Sequence, residues 1–243
     1  MPYIKAIFFD LDETLIENRM SVTEVFGRMF YDFSQQLGAS NKSLFFGELR
    51  TRAQSLWSEM FLSDESPEQQ LVRCFTQCIL ATNAVAPAAS NRMAKDMLDH
   101  FLSLSAGNVH FQDNAEAVLS QLQDQGYITG IITNGIEQIQ LGKVRKLGLN
   151  EKVHHVTVSA QARAHKPLRP VFDLALTRAG VNPEECWMIG DHPTNDVAGG
   201  MRAGMEGVYY NPKFHSLETA FADLIERPNY TINGLSELID LLS

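Results

Sequence analysis

The sequence predicts an α/β protein, a doubly wound parallel sheet with an α-helical domain inserted after the first strand. Residues 3–9 form an apolar run with β-compatible side chains that ends at Asp10, which indicates a buried strand. Residues 17–107 carry only helical signals, whereas strand and helix patterns alternate through residues 108–243. Such alternation predicts parallel strands with helices on both faces. Residues 1–16 belong with that sheet, so we expect a core of residues 1–16 and 108–243 and a helical domain of residues 17–107.

Helix-start signals divide the inserted segment into four helices. Ser21 and Glu24 have the spacing of a capping box and precede an apolar stripe. Ser66 followed by Pro67 is a second start signal, because proline suits the first helical position. The remaining two helices are expected over residues 44–61 and 90–104.

The alternating part of the chain contains strand patterns separated by helices, several of which stop at a glycine. Further strands are expected at residues 127–133, 153–159, 186–189, 207–210 and 230–232. Helices are expected at residues 113–125, 136–147, 170–179, 195–203 and from Leu235 onward.

Composition and charge exclude several classes of function. The formal net charge of −9 argues against a nucleic-acid partner, and no apolar run approaches the roughly 20 residues that cross a bilayer. The three cysteines form no disulfide or metal-ligand pattern, and the N-terminus has no secretory cleavage site. We therefore expect a cytoplasmic protein with neither a nucleic-acid nor a membrane partner. The oligomeric state is left open.

Polar side chains follow four of the predicted strands. Because ligand sites of open α/β sheets lie at the carboxyl ends of the strands, these residues should meet at one rim. Each taken alone could be a turn, cap or solvated loop residue; their coincidence favours a functional site. They are Asp10, Asp12, Thr133, Asn134, Lys166, Asp191 and Asp196.

This set of residue types suits phosphoryl transfer. Converging carboxylates repel each other unless a cation holds them, and oxygen ligands suit Mg²⁺. A lysine with neutral hydrogen-bond donors completes a site for a phosphate group. A carboxylate is also a competent covalent nucleophile, and a second carboxyl group can transfer the protons.

The same residues carry a resemblance to the haloacid dehalogenase superfamily. Its first motif, DxDxT, is matched by residues 10–14, and its other motifs are matched by residues 133–135, 166–167 and 190–196. The resemblance covers the whole chain, including a helical cap inserted after the first strand. Within the superfamily, the chain resembles the nucleotidase- and phosphatase-like branch.

The resemblance implies a role for each site residue. Asp10 would be the nucleophile that forms an aspartyl-phosphate, and Asp12 the general acid/base. The phosphate would be bound by Thr133, Asn134 and Lys166. Mg²⁺ would be held by the Asp10 carboxylate, the Asp12 backbone carbonyl and Asp191. Asp196 would either support the metal or orient Lys166.

Asp12 favours a phosphatase over a dehalogenase, because the dehalogenases that resemble this chain lack the second aspartate and need no proton for a leaving oxygen. Glu13 stands where many members have glycine, as is common among nucleotidase-like members. The expected substrate is a small phosphorylated metabolite, namely a nucleotide, flavin mononucleotide or sugar phosphate. A phosphomutase, a 2-haloacid dehalogenase and a non-catalytic phosphate-binding module remain the alternatives.

Overall fold

The computed structural model describes residues 4–242, except for the side chains of residues 54, 55 and 57–59. The chain forms two compact units. One contains the N-terminal residues as far as Arg19 and resumes at Val109; the other comprises Met20–Asn108.

Parallel strands form the main sheet of the first unit. The strands of the chain are β1 (Ala6–Phe9), β2 (Ile16–Asn18), β3 (Val109–Phe111), β4 (Ile128–Thr133), β5 (His155–Val158), β6 (Cys186–Gly190), β7 (Glu206–Tyr210) and β8 (Tyr230–Ile232). Six of them pair in the order β5-β4-β1-β6-β7-β8, and every neighbouring pair is parallel. Because β1 lies between β4 and β6, the ends of these three strands come together beside Asp10. The predicted doubly wound α/β class is confirmed.

The helices of both units follow in chain order. They are α1 (Val22–Asp32), α2 (Ser34–Leu37), α3 (Lys42–Glu59), α4 (Pro67–Thr82), α5 (Pro87–Gly107), α6 (Ala115–Asp124), α7 (Glu137–Lys146), α8 (Ser159–Ala162), α9 (Arg169–Ala179), α10 (Gly199–Arg202), α11 (Leu217–Ala220) and α12 (Glu237–Leu241).

Helices cover both faces of the sheet because its strands are apolar on both sides. In β1, Ile7 and Phe9 join a buried cluster with side chains of α6, α7 and α12. Ala6 and Phe8 point the other way and join a second cluster with side chains of α9. Two cores, one on each face, therefore fix the sheet that carries the strand ends.

The second unit is helical throughout its regular structure. The capping boxes at Ser21 and Ser66 are present, with Glu24 and Gln69 completing them. Phe26 stacks on a phenylalanine of α5, Phe101, with ring centroids 4.8 Å apart. The four long helices match the four that the sequence predicts, and α2 is an additional short one.

A two-stranded antiparallel ribbon, which was not predicted from the sequence, joins the ends of the first unit's two segments. Here β2 pairs with β3, with Ile16 opposite Phe111 and Asn18 opposite Val109. The expected boundary after residue 16 falls within β2, and the first compact unit extends to Arg19.

Two helix assignments need correction. The predicted helix at residues 195–203 is a turn of π-helix, Pro193–Ala198, followed by α10. The C-terminal helix begins at Glu237 instead of Leu235, and the Glu237 carboxylate accepts hydrogen bonds from the main-chain N–H groups of Asn233 and Gly234 in the turn before it. Within the described residues, no helix combines the length and apolar character that crossing a bilayer requires.

Candidate active site

Lys166 lies at the centre of the strand ends. Its Nζ donates hydrogen bonds to Asp10 Oδ1 at 2.7 Å, Asp196 Oδ1 at 2.6 Å and the carbonyl oxygen of Ile132 at 2.8 Å. An ammonium group has three N–H donors, so each has a partner. The whole residue is only 4% exposed, so this lysine is not the solvated loop residue that its position before a proline allows.

The charges around Lys166 do not balance. Burial and the neighbouring Asp196 carboxylate raise the pKa of Asp10 well above its usual value, against the opposing charge of Lys166. Although burial favours neutral lysine, the Asp10 and Asp196 carboxylates raise the pKa of Lys166. One ammonium cannot neutralise two buried carboxylates, so this part of the site is deficient in positive charge.

Asp191, which follows β6, adds to that deficit. Burial, together with the charges of Asp196 and Glu13, raises the pKa of Asp191 to about 6. Its main-chain N–H donates to Thr14 Oγ1 at 3.1 Å, and the hydroxyl lies 3.4 Å from Asp191 Oδ1. Thr14 is fully buried. The third polar residue of the DxDxT motif thus orients Asp191.

Asp196 sits in the π-helical turn after β6 and has both carboxylate oxygens engaged. Oδ1 accepts from Lys166, and Oδ2 accepts from the main-chain N–H of His192 at 3.0 Å. A Cβ at Gly190 would lie 2.4 Å from the Asp196 side chain, so glycine leaves the space for it. The His192 imidazole accepts hydrogen bonds at Nδ1 from the main-chain N–H groups of Thr194 and Asn195, which gives it a capping role.

Asp12 points to a different set of partners. Its Oδ1 accepts from Lys143 Nζ at 2.6 Å and from Asn18 Nδ2 at 2.8 Å, and its Oδ2 accepts from Gln140 Nε2 at 2.8 Å. Burial acts to raise the pKa of Asp12, but the Lys143 ammonium and the hydrogen bonds from Gln140 and Asn18 outweigh it and lower that pKa.

The two polar residues after β4 have different partners. Thr133 is 1% exposed, and its Oγ1 accepts from Gln140 Nε2 at 2.6 Å. Asn134 bonds the main chain of Lys166 in both directions: Nδ2 donates to the carbonyl oxygen at 3.1 Å and Oδ1 accepts from the N–H at 2.7 Å. The Asn134 amide, expected at the substrate, therefore holds the loop that carries Lys166.

The donor set fits a divalent cation. Asp10, Asp191 and Asp196 each offer a carboxylate oxygen, and these oxygens all lie within 4.8 Å of one another. The four aspartates and two lysines described above leave two formal negative charges, which one divalent cation balances. Oxygen-only ligation by carboxylates is typical of Mg²⁺.

A polar cavity of about 260 Å³ opens beside Asp191 in the same unit. Acidic, basic and phenolic side chains line it, among them Glu13, Glu17, Tyr209, Lys213 and His215. Glu13 has a φ of 60°, in the left-handed region that costs a non-glycine residue about 1 kcal/mol or more. Glycine would remove that cost, as in many members of the family that the sequence resembles.

All seven sequence-predicted site residues lie at this rim, but in two groups. Asp10, Asp191, Asp196 and Lys166 form one, and Asn134 supports it. Asp12 and Thr133 form the other, joined through Gln140. Lys143 and Gln140 were not predicted as site residues from the sequence. A signal for them exists: they interrupt the buried face of α7 that also carries Ile139 and Val144.

Comparison with known proteins gives the family context. The family model described as haloacid dehalogenase-like hydrolase matches residues 4–204. The chain is 35% identical over 133 residues to the ribulose-1,5-bisphosphate 5-phosphatase of Halopiger xanaduensis, covering 54% of this chain and 56% of that protein. It thus spans about half the length of that relative. It is 28% identical to the pyrimidine 5'-nucleotidase YjjG of Escherichia coli, covering 97% and 96% of the two chains.

Among solved structures, the 2-haloacid dehalogenase of Pseudomonas syringae superposes with a TM-score of 0.79. The two chains are 24% identical, and the match covers 98% of each. At this level of identity the structural match shows a shared fold but does not indicate which reaction is catalysed.

Proposed function

We propose that the chain, which belongs to the haloacid dehalogenase-like hydrolase family, hydrolyses phosphate monoesters of small metabolites through an aspartyl-phosphate on Asp10. The observation that carries this proposal is the buried ion pair of Lys166 with Asp10 and Asp196, next to the carboxylate of Asp191. A carboxylate held beside a fixed ammonium and a cation-binding cluster suits attack on a phosphate, whose oxygens require positive charge around them.

The reaction divides between Asp10 and Asp12. An Asp10 oxygen forms a bond to phosphorus, and the bond from phosphorus to the ester oxygen breaks. Asp12 delivers a proton to that leaving oxygen, and for this step it must first take up a proton, because Lys143 and its hydrogen bonds lower its pKa. Water then attacks the phosphorus; Asp12 takes a proton from it, and the bond to Asp10 breaks. Phosphate is released and both aspartates return to their starting state.

Lys166 and Thr133 are the proposed phosphate-binding groups. The Lys166 ammonium is fixed by its three hydrogen bonds, so it offers the phosphate a positive charge at a defined position. A direct hydrogen bond to a phosphate oxygen replaces one of these three bonds, because an ammonium has three N–H donors. Asn134 serves the same group indirectly through the Lys166 main chain.

Mg²⁺ is the proposed cofactor. The Asp10 carboxylate, the Asp12 backbone carbonyl and Asp191 would hold it, and when bound it would offset the negative charge of the transferring phosphoryl group. Asp196 orients Lys166 in this proposal, since both its oxygens accept hydrogen bonds from protein donors.

The names of the relatives and the polar cavity support a proposal for the substrate class. The named relatives act on a sugar bisphosphate and on pyrimidine nucleotides, and the polar cavity beside Asp191 suits a small hydroxylated leaving group. We propose sugar phosphates and nucleotides as the first candidates, with flavin mononucleotide as a third.

The alternatives predict different products. A 2-haloacid dehalogenase would release halide and has no use for a proton donor at Asp12. A phosphomutase would return the phosphoryl group to an organic product, and a binding module would release nothing.

The test is release of inorganic phosphate from a panel of nucleotide, flavin and sugar monophosphates, with Mg²⁺ and with EDTA. We expect release that requires Mg²⁺, is lost in Asp10→Asn and is unchanged in the control Asp173→Asn, whose carboxylate is exposed on α9. Wild-type turnover by Asp10→Asn would refute the assignment. Halide release from a 2-haloacid without phosphate release would replace it with the dehalogenase.

A further inference from the structure

The carboxylate of Asp12 is held by donors from outside its own loop. Two of them, Gln140 and Lys143, lie three residues apart on α7, and the third is Asn18 of β2. Both α7 side chains are buried, with Gln140 2% and Lys143 7% exposed. Residues three apart on a helix share a face, so α7 presents an amide and an ammonium to one carboxylate.

We propose that Lys143 and Gln140 are positioning residues that fix the carboxylate of Asp12 for proton transfer, an inference that rests on the proposed function. Lys143 holds Oδ1 and Gln140 holds Oδ2, so rotation of the carboxylate about the Cβ–Cγ bond of Asp12 is restricted. A proton-transfer group must be held at hydrogen-bond distance from its partner, and a misplacement of about 1 Å can cost about 100-fold in rate.

A purely structural role explains these side chains poorly. Burying an ammonium–carboxylate pair gives little or no net stability, and apolar side chains of similar size often serve as well or better. The neighbouring positions on the same face of α7, Ile139 and Val144, are apolar. A buried lysine and glutamine between them, both aimed at Asp12, indicate a role in the chemistry of that carboxylate.

Gln140 also connects Asp12 to the phosphate-binding side of the site. Its Nε2 donates both to Asp12 Oδ2 and to Thr133 Oγ1, at 2.8 and 2.6 Å. The amide is packed closely, because a Cβ at Gly135 would lie 2.9 Å from Gln140 Cγ. One amide thus fixes the distance between the acid/base carboxylate and the Thr133 hydroxyl.

The experiment compares Lys143→Met with Lys143→Arg, Asp12→Asn and the control Lys146→Met. Lys146 is exposed on the same helix, so its replacement changes the surface charge but not the site. p-Nitrophenyl phosphate is used with rapid mixing, because its leaving group needs little help from an acid. The nitrophenolate burst then reports phosphorylation of Asp10, and the steady-state rate reports hydrolysis of the phosphoenzyme, where Asp12 acts on water.

We expect Lys143→Met to retain the burst and to lose about 10- to 100-fold in the steady-state rate, by analogy with the range seen when groups that orient metal ligands are removed. Lys143→Arg should recover part of the loss and Lys146→Met should equal the wild type. In the Asp12→Asn background, Lys143→Met should slow the reaction no further, because it acts through Asp12.

Two results would overturn the inference. The first is a Lys143→Met enzyme with the wild-type steady-state rate; the second is a loss of the same size with Asp12 and without it. If Lys143→Met does not fold, as judged by circular dichroism, Gln140→Met is held to the same criteria. A wild-type enzyme that releases no phosphate from any substrate would instead refute the proposed function, so the two failures are distinct.

Discussion

Replacing Lys166 with methionine should destabilise the first unit strongly. Methionine keeps the length of the side chain but leaves Asp10 and Asp196 as buried carboxylates without their cation, and leaves the Ile132 carbonyl without its donor. Removing one partner of a buried ion pair costs about 3–5 kcal/mol, mostly because the remaining charge is uncompensated. The pair is deeply buried, with the lysine side chain 2% and the Asp196 side chain 1% exposed.

The assay is urea unfolding followed by circular dichroism, in EDTA so that no cation substitutes for the lysine. Lys152→Met is the matched control, because it breaks the ion pair with Glu116, whose side chain is 56% exposed. Exposed pairs contribute about 0–1 kcal/mol. A loss for Lys166→Met as small as that of the control would refute the reasoning that this lysine offsets buried negative charge.

Three further predictions concern the cation, the packing and the pH. Mg²⁺ at 100 times its Kd should stabilise the wild type by about 2.7 kcal/mol in thermal unfolding, and Asp191→Asn should lose that shift; equal shifts would contradict the cation site. Gly190→Ala should cost about 1–3 kcal/mol in urea unfolding, since its Cβ would lie 2.4 Å from Asp196, whereas Gly27→Ala, with open space around it, should not destabilise. Burial lowers the pKa of His165, so its neutral form is favoured in the fold and stability falls as the pH drops through its ordinary value of about 6.5. A variant His165→Asn should lose less stability than the wild type between about pH 8 and about pH 5; an equal loss would contradict this assignment.

The sheet rim was predictable because it depends on a rule of topology. Parallel strands place their carboxyl ends at one edge, so Asp10, Thr133 and Asp191 were expected to meet without knowledge of the strand order. Apolar runs and glycine stops are local signals, and they located most helices and strands within a few residues. The ribbon of β2 and β3 was not predicted, because each strand has three residues and the two strands are separated in sequence by the whole inserted domain.

The division of the rim into two groups was not predictable from the sequence. Which carboxylate meets which lysine depends on the rotation of α7 against the sheet, and that is set by packing of residues such as Val144 in the core. A periodicity argument can mark Lys143 as a polar residue on a buried face, but it cannot name Asp12 as its partner. The hydrogen bonding of Asn134 to the Lys166 loop was likewise not predictable, because its partner is the main chain of a residue 32 positions away in the sequence.

The most direct test of the central claim is to trap the phosphoenzyme. The wild type is mixed with excess p-nitrophenyl phosphate and Mg²⁺ and quenched in acid within one turnover. It is then digested, and the masses of its peptides are measured by mass spectrometry. We predict one added phosphoryl group on the peptide that contains Asp10, lost on treatment with hydroxylamine and absent from Asp10→Asn. Turnover without any phosphorylated peptide, or a phosphoryl group that persists in Asp10→Asn, would contradict the account.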